Sequence, residues 1–253
     1  MNKATNILGV NVSVLTYSLT IKTISSWVKN RQPHYVCVAA VHLIMECQAD
    51  LQLLKGVNQA GLVTPDGMPL AWLLKLYGQR PVERVYGPDL MKLVCQKAVQ
   101  KRWPIFLLGG AKGQSQQLKQ VLQNTFPSLK IVGQLDTPIR PIPDEKNRHI
   151  IKQINTSQAK IVFVGLGCPF QEQWMMKAAP KLKQAVAIGV GAAFDFMTGK
   201  VRQAPSWLQS IGLEWLFRFA QEPKRLAKRY FLFNTLFSLL IIKQLIGDLL
   251  KKQ

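Results

Sequence analysis

The sequence predicts a Rossmann-like, doubly wound α/β fold with a mainly parallel sheet and a basic, apolar helical appendage at the C-terminus. Two apolar runs, residues 161–164 and 185–188, each end in a Gly-x-Gly turn, as strands buried on both faces of a parallel sheet do. Apolar runs alternate with helical patterns at intervals of about 20–30 residues, which is typical of repeated β-α units. Because such sheets bind ligands at the carboxyl ends of their strands, the glycine turns mark the expected site.

The chain before these turns follows the same alternation. After Asn11, a candidate cap, apolar positions at helical spacing predict a first helix over residues 12–30. The next elements are expected to be a strand over 35–41, a helix with His42, Met45 and Leu53, a strand over 61–64, helices over 68–77 and 89–101, a strand over 104–108, a helix ending at Phe126, a strand over 130–135 and a helix over 144–156.

The charge balance predicts an anionic partner. There are 33 Lys and Arg residues against 13 Asp and Glu residues, a net charge of +20. Nucleic acid is not expected, because the chain has neither helix-turn-helix nor zinc-finger spacing. The four cysteines and three histidines show no disulfide or metal-ligand spacing, so neither is predicted. The N-terminus does not resemble a signal peptide, which predicts a cytoplasmic protein.

The C-terminal segment, residues 218–253, differs from the rest of the chain. It carries eight basic and two acidic residues, a net charge of +6, and its basic start is followed by an apolar run over residues 230–242. That run is too short to cross about 30 Å of hydrocarbon. We therefore expect a catalytic domain over 1–217 and a segment over 218–253 that lies on an anionic membrane surface. The alternative is a helix packed on the domain core or at a subunit interface.

The polar residues at the predicted strand ends favour a transfer reaction from a phosphorylated donor. A carboxylate takes a proton while a diphosphate leaves, and arginine with backbone amides stabilises the leaving group without a metal. A dinucleotide-dependent oxidoreductase is the competing class, disfavoured because no GxGxxG follows the first strand. Simpler roles remain open for several residues, such as a helix cap for Asp66 or an ion pair for Glu172. The candidates are Asp66, Arg84, Gln171, Glu172, Asp195, Arg202, Gly109, Gly110, Gly165, Gly167, Gly189 and Gly191.

Seven segments together resemble the WecG/TagA/CpsF family of bacterial glycosyltransferases. They are TPDGMPL (64–70), RVYGPDL (84–90), FLLGGAKG (106–113), GLGCPFQEQW (165–174), IGVGAAFDF (188–196), RQAPSWLQSIGLEWLFR (202–218) and EPKRLAKRY (222–230). The resemblance implies inverting, metal-independent transfer of an N-acetylmannosamine-type or related sugar. The donor would be a UDP-sugar and the acceptor a polyprenyl-diphosphate-linked sugar at the inner face of the cell membrane, in cell-surface polysaccharide synthesis. It implies no cofactor, and exchange between monomer and homo-oligomer.

The resemblance also implies a role for each candidate residue. Asp66 matches the proposed general base, Arg84 an arginine that steadies the leaving diphosphate, and Gln171 a polar residue of the pocket. The glycine turns, Glu172, Asp195 and Arg202 would bind substrate. Three arginines of the C-terminal segment would meet lipid or acceptor phosphates, namely Arg218, Arg225 and Arg229.

Two positions at the end of the first predicted strand depart from the family pattern. The first strand of the family usually ends in Thr-x-Asn, whereas Val38 and Ala40 stand at the two polar positions here. A different substrate, a neighbouring group such as His42 in place of the asparagine, or reduced activity would follow. The alternative function is therefore a catalytically weakened member that binds a nucleotide sugar or a membrane surface.

Overall fold

The computed structural model describes residues 3–251, except for the side chains of Arg225, Lys228 and Arg229, and it begins with a β-hairpin. Strand β1 (Ala4–Ile7) pairs antiparallel with β2 (Val10–Ser13). The prediction of a helix from residue 12 is wrong here, because buried Val10 and Val12 flank an exposed Asn11, the period of a strand. The first helix begins after Thr16, whose hydroxyl accepts from the Leu19 backbone N–H at 3.2 Å.

Six strands form the predicted parallel sheet: β3 (Tyr35–Ala39), β4 (Leu62–Pro65), β5 (Ile105–Gly109), β6 (Ile131–Leu135), β7 (Ile161–Gly165) and β8 (Val186–Gly189). Their order across the sheet is β4-β3-β8-β7-β5-β6. The chain thus winds outward from β3 to β4, crosses to β5 and β6, and returns through β7 to β8 beside β3. The direction of winding reverses between β3 and β8, and this is where doubly wound sheets bind ligands.

Nine helices accompany the sheet in the part of the chain up to residue 197: α1 (Tyr17–Lys29), α2 (Val41–Ala49), α3 (Leu51–Asn58), α4 (Met68–Leu76), α5 (Gly87–Lys101), α6 (Gln114–Thr125), α7 (Asp144–Thr156), α8 (Phe170–Ala178) and α9 (Ala193–Met197). The sheet has a separate apolar core on each face. Val162 and Val164 of β7 join the core formed with α2, α3, α4, α7 and α8, whereas Ile161 and Phe163 join the core formed with α1, α5, α6 and α9. Burial on both faces explains the unbroken apolar runs of these strands.

The helix expected after β3 is in fact two helices. The helix is interrupted at Asp50, whose Oδ1 accepts from the backbone N–H groups of Gln52 at 2.8 Å and Leu53 at 3.0 Å. Asp50 is therefore the N-cap of α3, a role for which aspartate is well suited. The other predicted elements before residue 190 are confirmed, with bounds within about two residues, the usual uncertainty of helix and strand ends.

The chain after residue 205 is mostly helical and packs back on the domain. It comprises α10 (Ser206–Ser210), α11 (Glu214–Gln221), α12 (Pro223–Lys228), one turn of π-helix (Arg229–Phe233), here called the π-turn, and α13 (Asn234–Leu250). The C-terminal segment begins within α11. Phe237 and Ile241 of α13 are buried in the core that also contains the N-terminal hairpin. Gln244 accepts from the Leu8 N–H at 2.8 Å and donates to the Asn6 carbonyl at 2.9 Å. The alternative of a helix packed on the domain core is thus confirmed for this face of α13.

The outer face of α13 is apolar and exposed. Leu239, Ile242 and Ile246 are each more than half exposed and lie on one side of the helix by their spacing. By length and composition alone, the helix over Tyr230–Leu250 could cross a membrane. The helix continues past Lys243 and Asp248, beyond the apolar run over residues 230–242. The expectation that this segment lies on the membrane and does not cross it stays a prediction. The predicted division at residue 217 falls inside α11 and stays a prediction.

Candidate active site

Two cavities meet at the carboxyl ends of the central strands. The first, here called the strand-end cavity, has a volume of about 670 Å³ and is lined by the turns after β7 and β8. The second, here called the tail cavity, has a volume of about 510 Å³ and lies between α4 and the C-terminal segment. Both volumes fall in the range of about 300–1,000 Å³ usual for small-molecule sites. Five residues line both cavities: Ala40, His42, Asp66, Glu214 and Arg218.

Asp66 is held at this junction by the backbone. It follows β4, its N–H donates to the Ala39 carbonyl at 2.8 Å, and its Oδ1 accepts from the Gly87 N–H at 2.8 Å. Asp66 does not cap α4, since Gly67 is the N-cap and no side-chain bond is formed there. The simple helix-cap role left open by the sequence is therefore wrong for α4, and the carboxylate is instead presented to both cavities.

The surroundings of Asp66 make it a stronger base than an ordinary carboxylate. Burial raises the pKa of Asp66 to about 6, an effect that the positive charge of Arg84 reduces and the negative charge of Glu214 reinforces. A carboxyl group with this pKa is still mostly ionised at neutral pH. It is then available to take a proton, and a pKa close to the working pH is what general-base catalysis favours.

Arg84 is engaged in a buried network beside Asp66. Its Nη2 forms an ion pair with Glu214 and its Nε donates to the Asp66 carbonyl. The Tyr86 hydroxyl donates to the other oxygen of Glu214 at 2.9 Å, and the Arg84 guanidinium lies 4.1 Å from the centre of the Tyr86 ring. The network therefore joins β4 to α11 and fixes the floor of the junction.

Arg84 lines the tail cavity and, among the described lining residues, not the strand-end cavity with its glycine turns. Its bonds to Glu214 and to the Asp66 carbonyl hold Asp66 and α11 in place. Its predicted contact with a leaving diphosphate stays a prediction.

The glycine turns divide into lining and packing positions. Gly110, Gly165, Gly167, Gly189 and Gly191 line the strand-end cavity. Gly109 does not belong to the described lining, and its predicted contact with substrate stays a prediction. It has φ of +123°, and a Cβ there would lie 2.5 Å from the Gly165 carbonyl oxygen. Gly109 thus permits the ends of β5 and β7 to approach each other.

The start of α6 is not open for a phosphate. The Asp136 carboxylate accepts from the Gly113 N–H at 2.6 Å and the Ser115 N–H at 2.9 Å, and the Ala111 N–H donates to Gln114. Although burial alone would raise the pKa of Asp136, the hydrogen bonds from Ser115 and Gly113 lower it. The protein therefore supplies its own anion where the GGAKG turn alone weakly indicated a phosphate cradle.

Gln171 and Glu172 lie side by side at the floor of the site. Both are buried, and Gln171 Nε2 donates to Glu172 Oε1 at 2.8 Å. Burial raises the pKa of Glu172 to about 7, although hydrogen bonds, including that from Gln171, partly oppose the rise. Only Gln171 is in the described lining of the strand-end cavity. Glu172 therefore lies beneath the described surface of the cavity, and its predicted contact with substrate stays a prediction.

Two further predicted residues occupy different settings. Asp195 lines the strand-end cavity and accepts from Gln114 Nε2 at 2.7 Å. Arg202 is exposed and outside the described lining; its backbone exchanges hydrogen bonds with Gln221. Its predicted contact with substrate stays a prediction.

The arginines predicted to meet lipid phosphates lie partly outside the described structure. The side chains of Arg225 and Arg229 fall outside the described residues, so their predicted roles stay predictions. Arg218 lines both cavities, and its guanidinium lies 5.3 Å from the centre of the Phe196 ring. Arg218 is therefore part of the site itself.

Some polar residues that line the strand-end cavity were not predicted from the sequence, among them Gln114, Arg140 and Lys200. Gln114 lies in the first turn of α6, and Arg140 in the proline-rich connection after β6. Lys200 lies 3.7 Å from Asp195. No motif marks these residues, because loops distant in sequence bring them together; only the +20 charge indicated that cations would be found here.

The two positions that depart from Thr-x-Asn lie in the strand-end cavity. Val38 and Ala40 both line the strand-end cavity and offer only methyl groups. His42, in the first turn of α2, also lies at the junction, with Nε2 at 2.9 Å from Glu46 Oε1 and its ring stacked on Phe233 at 5.5 Å. The neighbour proposed to replace the asparagine is thus in reach of both cavities.

No group of three or more metal-ligating side chains occurs within residues 3–251 as described. The independence from metal that the sequence predicts is a property of turnover and stays a prediction.

Comparison with known proteins shows the family of the chain. The sequence profile of the Glycosyl transferase WecG/TagA/CpsF family matches residues 5–250. The chain belongs to this family. A relative from Bacillus spizizenii strain W23, named N-acetylglucosaminyldiphosphoundecaprenol N-acetyl-beta-D-mannosaminyltransferase, is 32% identical over 169 residues. That alignment covers 67% of the chain and 64% of the relative's length.

The buried network predicts strong energetic coupling between Arg84 and Glu214. Arg84→Met leaves the Glu214 charge buried without its cation, so we expect it to lower the free energy of unfolding by about 3–5 kcal/mol. The Arg84→Met/Glu214→Leu double variant should lose clearly less than the sum of the two single variants. Urea unfolding of all four chains measures this coupling.

The more exposed Lys200–Asp195 pair provides the matched control, with a coupling of at most about 1 kcal/mol. Additive effects of the Arg84 and Glu214 substitutions would contradict the network as described.

Proposed function

We propose that the chain is an inverting, metal-independent glycosyltransferase of cell-surface polysaccharide synthesis. It would transfer an N-acetylhexosamine, which is N-acetylmannosamine or a related sugar, from a UDP-sugar to a polyprenyl-diphosphate-linked sugar. The carrying observation is the position of Asp66, a carboxylate with a raised pKa, between a cavity at the strand ends and a cavity that reaches the C-terminal helices. The family supports a glycosyltransferase. The name of the Bacillus relative supports N-acetylmannosamine as the transferred sugar and a polyprenyl-diphosphate-linked sugar as the acceptor.

The strand-end cavity suits the donor. Its glycine turns bring backbone close to a ligand, and polar side chains such as Gln171 and Asp195 offer hydrogen bonds to a sugar or nucleotide. Arg140, Lys200 and Arg218 line the same cavity and place positive charge where a diphosphate must be stabilised. We assign to these three cations the role that the sequence analysis gave to Arg84.

The tail cavity suits the acceptor. Aromatic and aliphatic side chains dominate its lining, among them Trp72, Trp215 and Phe237. These side chains would contact the first units of a polyprenyl chain, while the acceptor sugar reaches Asp66 at the junction. The cavity is bounded by the π-turn and α13, so a lipid could enter from the side on which the exposed apolar face lies.

The proposed reaction is a single displacement. The acceptor hydroxyl loses its proton to Asp66, its oxygen bonds to the anomeric carbon from the face opposite the diphosphate, and the bond from that carbon to the UDP oxygen breaks. Configuration at the anomeric carbon inverts, and UDP departs with the bonding electrons. The role of the chain is to position the two substrates and to stabilise the charge on the departing diphosphate.

The C-terminal segment would hold the enzyme at the inner face of the cell membrane. Its outer apolar face is joined by exposed lysines, Lys224, Lys243 and Lys251, a combination that fits an anionic lipid surface. Gln244 and Asp248 bond to the hairpin and to the Tyr77 hydroxyl, respectively. These polar contacts favour a helix that lies along the domain over one that leaves it to span the bilayer.

A weakened member of the family is the second candidate, favoured by the methyl groups of Val38 and Ala40 in the lining. It would bind a UDP-sugar without transferring it. Measurable UDP binding with no turnover for a panel of UDP-sugars would favour this candidate.

We predict that Asp66→Asn lowers kcat by about 10²–10⁴-fold, because the amide cannot take the acceptor proton. The measurement is UDP release with a polyprenyl-diphosphate-sugar acceptor, in EDTA. Affinity for UDP should stay within about threefold of wild type by calorimetry, since UDP lies on the other side of the junction. Asp144→Asn, an exposed carboxylate of α7, is the matched control and should leave turnover unchanged.

The pH profile of wild-type kcat/KM should report the same group. Asp66 acts as a base only when ionised, so kcat/KM should fall as the pH drops through about 6, the raised pKa of Asp66. A limb near pH 4, the ordinary aspartate value, or full activity of the variant would contradict the assignment. Loss of wild-type turnover in EDTA would contradict metal independence.

We predict that the triple variant Leu239→Glu/Ile242→Glu/Ile246→Glu loses co-sedimentation with anionic liposomes, because three charges then face the lipid. A control of equal charge carries Leu51→Glu, Leu76→Glu and Ile139→Glu, which are exposed elsewhere, and should sediment like wild type. Equal binding of both variants and wild type would contradict membrane docking through α13.

A further inference from the structure

The side-chain amide of Gln171 is held in one orientation by its neighbour. Gln171 Nε2 donates to Glu172 Oε1 at 2.8 Å, and both side chains are at least 97% buried. An ionised carboxylate only accepts hydrogen bonds, so it selects the NH₂ end of the amide. The opposite end, the carbonyl oxygen Oε1, must then face away from Glu172.

The carbonyl oxygen of Gln171 is turned toward the exit of β8. A Cβ built on Gly191 would lie 3.5 Å from it, and Gln171 is in the lining of the strand-end cavity. Within the described residues this buried oxygen has no hydrogen-bond partner. A buried acceptor without a partner is unfavourable by about 1–3 kcal/mol. Such an atom therefore indicates a position where a ligand can supply the hydrogen-bond donor.

The two glycines at the end of β8 have different roles beside Gln171. A Cβ at Gly189 would lie 2.7 Å from Met175 Cε and 3.1 Å from Gln171 Nε2, so this glycine lets Met175 and Gln171 pack against the strand end. Gly191 has a φ of +51°, and a Cβ there would meet only Gln171, at 3.5 Å, so the backbone beside the carbonyl oxygen is open to a ligand.

We propose that Glu172 is a positioning residue that fixes the Gln171 carbonyl toward the donor, so that the ligand group bound there is a hydrogen-bond donor, either an N–H or a hydroxyl of the UDP-sugar. A phosphate oxygen is excluded from this place, because it only accepts hydrogen bonds and would oppose the carbonyl. The diphosphate therefore lies toward Arg140 and Lys200. The inference rests on the proposed function for the identity of the ligand.

Glu172→Gln tests this with nearly unchanged shape. The new amide can donate as well as accept, so Gln171 is free to turn its NH₂ group toward the ligand. At pH 8, where a pKa of about 7 leaves wild-type Glu172 ionised, we expect the affinity measured by calorimetry to fall about 3–10-fold, the effect of one lost hydrogen bond. The melting temperature should stay equal or rise, because a buried charge has been removed.

Two ligands locate the partner group. A loss of affinity for both UDP and UDP-N-acetylglucosamine places the donor group in the nucleotide, and a loss for the UDP-sugar alone places it in the sugar. In a Gln171→Ala background, Glu172→Gln should cause no further loss, since Glu172 acts only through Gln171. Glu145→Gln on the exposed start of α7 is the control and should change neither affinity.

The outcomes separate this inference from the proposed function. Unchanged affinity for both ligands in Glu172→Gln, a further loss in the Gln171→Ala background, or a loss that only follows a lowered melting temperature would overturn the positioning role alone. A wild-type chain that binds neither ligand would overturn the proposed function and this inference with it.

Discussion

The site depends on keeping a partly buried carboxylate ionised at the boundary between two cavities. Burial works against the charge of Asp66, and the Gly87 N–H and the Arg84 guanidinium work for it. The balance leaves a pKa of about 6, which a fully solvated aspartate would not have. Because Arg84 is itself fixed by Glu214 of α11, the properties of the base depend on the docking of α11. Helix α11 continues into the C-terminal segment, so the proposed catalytic centre and the proposed membrane-facing segment are directly joined.

The same network explains why the strand ends alone do not make the site. The parallel sheet brings its glycine turns and Gln171 to one edge, where a donor can approach the backbone. The proposed acceptor side is lined by residues of α4, α11, the π-turn and α13. Asp66 lies where the two cavities meet, and in our proposal this position lets one carboxylate act on a lipid-linked acceptor beside a bound donor.

Much of the fold was predictable from the sequence, because strands covered on both faces leave unbroken apolar runs and glycine exits. The N-terminal hairpin was not, since two strands of four residues carry too little periodicity to outweigh the helical pattern that follows. The break at Asp50 was missed because apolar residues continue at helical spacing on both sides of it. The sequence did not decide whether α13 packs on the domain, because both faces of this helix are apolar, the one that contacts the core and the one that is exposed.

The site was predictable in its motif residues and less so in its electrostatics. Asp66 and Gln171 lie in motifs that the resemblance identified. The pairing of Arg84 with Glu214, which lie 130 residues apart, and the occupation of the α6 terminus by Asp136 follow from the three-dimensional arrangement. Arg140 and Lys200 lie in loops whose sequence has no pattern. Charge composition indicated that cations would surround the ligand, but it did not indicate which ones.

A ternary structure would show whether Asp66 is placed to remove the proton of the acceptor hydroxyl. The chain would be crystallised with a non-transferable UDP-sugar analogue and a short-chain prenyl-diphosphate-sugar acceptor. We expect a distance of about 2.6–3.2 Å between an Asp66 carboxylate oxygen and one acceptor hydroxyl, with UDP in the strand-end cavity and the prenyl chain in the tail cavity. An acceptor hydroxyl held by a different base, or a UDP-sugar bound in the tail cavity, would contradict it.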